Sequence, residues 1–275
     1  MTTFISFAEH FEDLILFDAL KKEDSIFWID IGAYDPLDLS VTKAFSLGGG
    51  RGINVEPLKH NFEKLVFDRP RDINVEVCVS NFNGEIVLFE AGPASSVEQV
   101  TLKRIKKNNA LTGERIVQAV TMSSLLQSHL PINQKISFLK IDVEGHEVKV
   151  LQGMNFKQCR PLVIIIESVV PWKGTPAFEP WEPILLENDY LFRYEYRNNR
   201  YYTARFGSEI EFRGIQRLLS DYRVLITSGP KDKYRLSYMA IEAVFDEYPR
   251  LKALVLRGVR FLYPFVSKYF SAMVK

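Results

Sequence analysis

The segment from Phe138 to Gly153, FLKIDVEGHEVKVLQG, most constrains the fold of this chain. A short apolar run ends at Asp142 and Glu144, and a glycine turn leads from there into a segment with helical spacing. In an open α/β sheet, ligands bind just outside the carboxyl ends of the strands. The segment therefore predicts a strand that brings two carboxylates and His146 to the ligand-binding edge of a sheet.

Two further apolar runs also end in acidic residues. Residues 27–33 read FWIDIGA, with Asp30 and Gly32, and residues 52–57 read GINVEP, with Glu56. Gly32 has no Cβ, so its backbone can approach a ligand closely. Asp30 can accept a hydrogen bond from an ammonium group, and a carboxylate at the end of the next strand can accept both hydroxyls of a ribose. The spacing therefore predicts a nucleoside-type cofactor site at adjacent strand ends.

The order of elements predicts the fold class. From Ser25 onward, strand-like and helix-like runs alternate, which is typical of right-handed βαβ units in a parallel sheet. The G-x-G-x-x-G fingerprint of dinucleotide sites is absent, because Gly32 is followed by the sequence AYDP. The order of elements therefore predicts an α/β fold with a mostly parallel central sheet and helices on both faces. A cofactor without a pyrophosphate, such as S-adenosylmethionine, fits this sequence better than a dinucleotide does.

The three strand-end motifs together resemble the FkbM family of S-adenosylmethionine-dependent methyltransferases. The family signature has the form (I/V)DxGA, then GINxEP, then LKIDVEGxE, and the resemblance covers roughly residues 25–205. It implies a Rossmann-like class I methyltransferase fold, S-adenosylmethionine as the cofactor and O-methylation of a sugar or glycan acceptor. Many relatives carry Asn and a second glycine where this chain has Tyr34 and Pro36.

The candidate site residues follow from these motifs and from the resemblance. The predicted cofactor-binding residues are Asp30, Gly32, Ala33, Tyr34, Glu56, Ser80 and Asp142. Methyl transfer to a hydroxyl requires alignment of the acceptor and removal of its proton. The predicted catalytic residues are Asp142, His146, Glu144 and Glu167.

Two of these assignments leave alternatives open. His146 has a pKa range suited to proton abstraction, but it could equally be an exposed residue in the first turn of a helix. Asp142, Glu144 and Glu167 could hold Mg²⁺ instead of serving in proton transfer, since hard cations take oxygen ligands. The spacing does not decide this, and no metal is predicted.

The net charge and the cysteines indicate which binding partners and which cellular compartment suit the protein. Lys+Arg 35 against Asp+Glu 34 gives a formal net charge of +1, which provides no global attraction to nucleic acid. Cys78 and Cys159 lie in apolar surroundings, as buried thiols of a reducing compartment do. The N-terminus lacks the basic region with which a signal peptide begins. No apolar run reaches the length of about 20 residues that a membrane-spanning helix needs. These features favour the cytoplasm.

The chain divides into three predicted parts. Residues 1–24 are predicted to form an N-terminal helix that serves as scaffold, residues 25–205 the methyltransferase domain, and residues 206–275 a helical extension. After Tyr248 the extension has six basic residues and no acid, with large apolar residues between them. Such a helix can lie at the inner face of a membrane or pack on the domain or a partner. The oligomeric state is left open.

Acceptor recognition is predicted in the segments after the sheet edge, namely residues 171–173, the helix at Trp181 and residues 197–202, although these residues could also serve packing. Two other functions compete with glycan O-methylation. One is O-methylation of a small natural product. The other is a non-catalytic glycan-binding module of an assembly complex, which the acids at three strand ends disfavour.

Overall fold

A computed structural model describes residues 2–170, 173–205 and 209–227 of the chain. The strands are β1 (Thr2–Ser6), β2 (Phe27–Ile31), β3 (Arg51–Val55), β4 (Ile73–Val75), β5 (Cys78–Ser80), β6 (Gly84–Glu90), β7 (Gly113–Thr121), β8 (Phe138–Ile141), β9 (Val163–Glu167), β10 (Tyr190–Tyr196), β11 (Asn199–Ala204) and β12 (Tyr222–Ile226). The helices are α1 (Glu12–Ala19), α2 (Lys43–Leu47), α3 (Lys59–Asp68), α4 (Gln99–Lys107), α5 (Met122–His129), α6 (Glu147–Gln152), α7 (Glu182–Glu187) and α8 (Ile215–Asp221).

The central sheet has the strand order β10-β11-β9-β8-β2-β3-β4. Strands β9, β8, β2, β3 and β4 are parallel to their neighbours in this series, whereas β11 is antiparallel to both β9 and β10. The prediction of an α/β fold with a mostly parallel sheet is confirmed, but the sheet is mixed at β11. The parallel strands end at one edge, as the three acidic motifs require.

Both faces of this sheet are covered, because side chains alternate along each strand. Ile29 and Leu139 lie in an apolar core that also contains side chains of α5, α6 and α7. Trp28 and Phe138 lie on the opposite face with side chains of α1, α2 and α8, and their rings stack at 6.4 Å. Asp30 therefore lies on the same face of the sheet as Trp28, two residues along the strand.

A smaller sheet with the order β5-β7-β6 follows β4. The Asn83-Gly84 turn suggests a hairpin between the strands that flank it, and this expectation is wrong because β7 lies between β5 and β6. Strand β6 makes seven register pairs with β7, whereas the three-residue β5 could offer β6 only a short ladder. The longer ladder is the one that forms. The Asn83 side chain instead accepts a hydrogen bond from the Thr121 backbone N–H at 2.9 Å.

The two ends of the described chain pack together. Strand β1 pairs in parallel with β12, and the Arg213 guanidinium binds the carboxylates of Asp18 and Asp221. The predicted N-terminal helix starts only at Glu12 and follows a strand, while residues 209–227 of the predicted helical extension contain strand β12 as well as α8. The basic tail after Tyr248 lies outside the described residues. Among the described helices, none has the length and apolar character needed to cross a bilayer.

Candidate cofactor and transfer site

A cleft opens at the carboxyl edge of β2, β3, β8 and β9. Its wall includes the predicted residues Asp30, Gly32, Ala33, Tyr34, Glu56, Asp142, Glu144, His146 and Glu167. Ser80 belongs to the predicted set but does not line the cleft, since it is fully buried. The structure thus brings together nearly all residues that the strand-end motifs identify, from segments more than 100 residues apart.

Gly32 is required by the close approach of two strand ends. Its φ is +83°, and a Cβ at this position would overlap the carbonyl oxygen of Asp142. The Gly32 carbonyl accepts a hydrogen bond from Lys140 Nζ at 3.0 Å, and the Asp142 backbone N–H donates to Ile31 at 3.0 Å. A side chain at residue 32 would therefore separate the β2 turn from the end of β8, and the cleft would lose its floor.

Glu56 is buried and holds the turn that follows β2. Its Oε2 accepts the Tyr34 backbone N–H, and its Oε1 accepts the Leu58 backbone N–H, each at 2.8 Å. Burial raises the pKa of this carboxyl to about 7, against the opposing effect of the two backbone hydrogen bonds. Each carboxylate oxygen has two lone pairs, so each retains capacity for a further donor such as a ribose hydroxyl.

Asp30 is already paired within the protein. Lys140 Nζ lies 3.2 Å from Asp30 Oδ1 and 3.4 Å from Asp142 Oδ2, and the Thr42 hydroxyl donates to Asp30 Oδ2 at 3.2 Å. The attraction of Asp30, followed by that of Asp142, raises the pKa of Lys140 despite its burial. Sequence reasoning missed Lys140, although a lysine inside the apolar strand FLKI signals a buried cation that needs a partner.

Asp142, Glu144 and Glu167 form an acid cluster. One oxygen of each carboxylate lies within 4.8 Å of the others. Burial and then the charge of Asp142 raise the pKa of both Glu144 and Glu167. Glu167 Oε2 is buried without a hydrogen-bond partner among the described residues. This set of oxygens can support two chemistries, acceptance of a proton and coordination of a hard cation.

His146 bridges two residues on separate segments. Its Nε2 lies 3.0 Å from Ser80 Oγ and its Nδ1 lies 2.6 Å from Glu98 Oε1, and the ring is buried. The hydrogen bond to His146 lowers the pKa of Glu98. His146 is therefore not the exposed helix residue of the alternative interpretation. The structure joins the predicted adenine-side residue Ser80 to the predicted base, and it adds Glu98, which no sequence motif indicated.

A second set of hydrogen bonds fixes the same loop. The carbonyl oxygen of Glu144 accepts the hydroxyls of Ser96 and Thr101, each at 2.9 Å. Glu144 itself has a φ of 55°, in the left-handed region that a residue with a side chain rarely adopts. The segment 92–101 thus forms one side of the cleft and restrains the Glu144 backbone.

The N-terminal segment, which is predicted to serve as scaffold, also forms a wall of the cleft. Glu9, His10 and Glu12 line the cleft. Glu12 Oε1 accepts the Asn199 side-chain amide at 3.0 Å, and Glu12 Oε2 accepts the His10 backbone N–H at 2.8 Å. Burial raises the pKa of Glu12 to about 7. These contacts join residues 187 positions apart, which no local pattern indicates.

The predicted acceptor segments separate into core and cleft. Trp181 is 1% exposed and packs edge-on against Tyr202 in the apolar core, so it serves packing. Lys173 is exposed and does not line the cleft, and residues 171 and 172 lie outside the described part of the chain. From the segment 197–202, Asn198 and Asn199 line the cleft.

The mixed α/β sheet, with a glycine turn and acidic residues at the carboxyl ends of its parallel strands, is a fold of the methyltransferase type. The chain belongs to the FkbM methyltransferase family, because the model of the methyltransferase FkbM domain matches residues 30–194, more than half of its length. A search of curated proteins found no match. Glu9, Glu12, Asn198 and Asn199 lie outside the matched region.

The solved structures that resemble the chain include the following two. One is the crystal structure of methyltransferase FkbM from Methylobacillus flagellatus KT, with 16% identity and a TM-score of 0.40 over 66% of this chain and 44% of that chain. The other is monomeric WbdD, with 11% identity and a TM-score of 0.37 over 74% of this chain and 46% of that chain. The matched part spans less than half of each of these structures, and the family assignment rests on the residues 30–194 alone.

Proposed function

We propose that this protein is an S-adenosylmethionine-dependent O-methyltransferase that acts on a hydroxyl of a sugar in polysaccharide or glycan biosynthesis. The observation that carries the proposal is the placement of buried Glu56 and the acid cluster in one cleft of an FkbM-family domain. Glu56 suits a ribose, and the carboxylates around it suit the positive charges of the cofactor.

The residues of the first two strand ends fit the cofactor by their chemistry. Glu56 retains acceptor capacity for two hydroxyls, and the backbone of Gly32, Ala33 and Tyr34 lines the cleft without bulky side chains at the closest approach. Asp30 and Lys140 form a pair that fixes the floor. When bound, S-adenosylmethionine supplies a methyl group that its sulfonium makes electrophilic.

The acid cluster is the proposed proton acceptor. As the acceptor oxygen bonds to the methyl carbon, its hydroxyl proton must leave, and a carboxylate of Asp142, Glu144 or Glu167 takes it. Burial and the charge of Asp142 raise the pKa of Glu144 and of Glu167, so both carboxyls hold a proton more tightly than an ordinary glutamate, and the step requires an ionised member of the cluster. The three carboxyl groups lie close enough together for a proton to be shared among them. Both His146 nitrogens are engaged, which favours a positioning role over direct proton abstraction.

Calorimetry with S-adenosylhomocysteine, the demethylated cofactor, tests the cofactor assignment. We expect one site per chain, and we expect Glu56→Ala to weaken binding by about 1 to 3 kcal/mol because charge-assisted hydrogen bonds are lost. Glu63→Ala, which removes an exposed acid of α3, is the matched control and should leave affinity unchanged. Binding of NAD without binding of S-adenosylhomocysteine would refute the assignment.

Transfer of a labelled methyl group tests the acceptor class. Purified protein is incubated with labelled S-adenosylmethionine and a polysaccharide, and the sugars released by hydrolysis are analysed by mass spectrometry. We expect the label as a methyl ether on a hydroxyl oxygen of a sugar. Label in a small non-carbohydrate acceptor alone would retain methyl transfer and reject the glycan assignment. Polar wall residues, including Asn198 and Asn199, support the sugar because amide groups suit ring hydroxyls.

A further inference from the structure

We propose that Arg69 positions the segment 36–42 for the cofactor, because its guanidinium holds this segment in the conformation that lines the cleft. The inference rests on the proposed function and adds a residue that the strand-end motifs and the acid cluster do not include. Arg69 follows the last residue of α3 and does not line the cleft, so it is a positioning residue that acts through its partners.

The Arg69 side chain is buried and bound to the segment by a fork of hydrogen bonds. The residue is 2% exposed, and a charged side chain is seldom buried to this degree unless it is paired. Nη2 donates to the Pro36 carbonyl and to Ser40 Oγ, and Nη1 donates to Thr42 Oγ1, each at 2.6 Å. A guanidinium presents its donors in one rigid plane, which a lysine ammonium does not reproduce. The arrangement of the three acceptors is therefore specific to arginine.

The segment forms part of the cleft wall in a conformation that requires support. Leu39 and Val41 line the cleft. Leu39 has a φ of 60°, in the left-handed region that is unfavourable for a residue with a side chain. Such a conformation persists where surrounding contacts hold it in place. The Arg69 hydrogen bonds at Pro36 and Ser40 lie on either side of Leu39 along the chain and supply contacts of this kind.

The hydroxyl of Thr42 links Arg69 to the floor of the cleft. It accepts a hydrogen bond from Arg69 and donates its one proton to Asp30 Oδ2 at 3.2 Å. The other oxygen of Asp30, Oδ1, lies 3.2 Å from Lys140 Nζ. Arg69 thus orients the hydroxyl that holds a predicted cofactor-binding residue.

Other contacts with α3 hold the two ends of the segment, whereas Arg69 holds its middle. Asp35 Oδ2 lies 2.8 Å from Lys64 Nζ, but Lys64 is half-exposed, and exposed ion pairs contribute little stability. Just beyond the other end, Lys43 Nζ lies 2.5 Å from Asp68 Oδ2. Without the guanidinium, the residues between these two pairs should sample other conformations besides the one that lines the cleft.

Calorimetry with S-adenosylhomocysteine on the full-length Arg69→Lys variant, which keeps the charge and removes the fork, tests the inference. If the segment then adopts the cleft-lining conformation about one tenth of the time, the affinity falls about tenfold. Arg213→Lys is the matched control, because Arg213 also binds its partners through a guanidinium but lies outside the cleft wall. It should lower the thermal midpoint and leave the affinity within about twofold.

Methyl NMR of the same variant shows whether the effect passes through the segment. Without ligand, the methyl resonances of Leu39 and Val41 should shift or broaden relative to those of the unmodified protein. At saturating S-adenosylhomocysteine they should return towards the unmodified positions, because the ligand selects the cleft-lining conformation. A general loss of stability would not single out these two residues.

Thr42 provides a second test if Arg69→Lys fails to fold. Thr42→Val removes the hydroxyl and should weaken binding, whereas Thr42→Ser keeps the hydroxyl and should retain most of the affinity. Unchanged affinity in folded Arg69→Lys and Thr42→Val variants overturns the inference, and so does weaker binding with unchanged Leu39 and Val41 resonances. Absence of S-adenosylhomocysteine binding by the unmodified protein refutes the proposed function instead, and the methyl spectra without ligand then decide whether Arg69 holds the segment.

Discussion

His146 Nδ1 lies 2.6 Å from Glu98 Oε1, and this contact joins the turn after β8 to the first turn of α4. We expect His146→Ala and Glu98→Ala each to lower the free energy of unfolding by about 1.5 to 3 kcal/mol, because a partly buried charge-assisted hydrogen bond is lost. A double-mutant cycle from urea denaturation should give a coupling of at least about 1 kcal/mol.

The same pair separates positioning from base catalysis. If His146 positions the loop of Glu144, the Glu98→Ala variant should show a fall in rate nearly as large as that of the His146→Ala variant. If His146 is the base, Glu98→Ala should retain far more of the rate than His146→Ala, since loss of a general base alone costs about 10² to 10⁴. Rate measurements at saturating cofactor distinguish the two outcomes.

Cofactor affinity should depend on pH through Glu56. Its pKa is raised to about 7 by burial, and ribose hydroxyls would bind the ionised form better. Binding therefore lowers this pKa, and affinity for S-adenosylhomocysteine should rise as pH increases from 6 to 8, by up to about tenfold per unit below 7. Calorimetry at several pH values checks this, and Glu56→Gln should flatten the dependence. An equal slope in that variant would assign the dependence to another group.

Gly32→Ala should be among the most destabilising single changes at the site. An alanine there would have to adopt a left-handed backbone conformation, and its Cβ would overlap the Asp142 carbonyl oxygen. We therefore expect the free energy of unfolding to fall by about 2 to 5 kcal/mol. Gly49→Ala is the matched control, because Gly49 also has a positive φ of +94° but a Cβ there meets nothing within 4 Å. Denaturant titrations of both variants should show the larger loss at Gly32. Similar losses would mean that conformational strain alone accounts for the effect.

Stability should fall with rising pH in part through Glu12. Its pKa is about 7 in the folded state against 4.5 as the ordinary value, so the folded protein retains a proton that the unfolded chain releases between these values. The stabilisation is therefore complete below about pH 4.5 and lost as pH rises through 7, with a total of about 3 kcal/mol. The free energy of unfolding of Glu12→Gln relative to the unmodified protein should rise by this amount from pH 4.5 to 8. Glu63→Gln should instead run parallel to the unmodified protein.

Local sequence patterns were sufficient to predict those site residues that lie at the end of a single strand. Asp30, Glu56 and Asp142 end apolar runs, and parallel strands place such ends at one edge. Gly32 is identified by the same motif, and the asparagines at 198 and 199 are typical of the turn that joins the antiparallel strands β10 and β11. These features depend on neighbours within a few residues, which a sequence displays directly.

The missed residues depend on contacts between distant segments. Glu98 meets His146 across 48 positions and Glu12 meets Asn199 across 187, and neither contact has a repeating spacing. Lys140 was missed because its strand appears apolar, although its register partner is Asp30. The hairpin expectation at Asn83 failed for the same reason, since a strand that begins 30 positions later, at Gly113, supplies the better ladder.

The parallel pairing of β1 with β12 sets an order of assembly for the enzyme. Residues 2–6 have their ladder partners at 222–226, so during synthesis the first strand must wait for a segment more than 200 positions later. Closing so long a loop is slow, whereas the strands of residues 27–167 find neighbours much closer in sequence. The strand-end floor of the cleft can therefore form on a nascent chain before residues 9–12 are fixed, and the part of the cleft wall that these residues form is completed last.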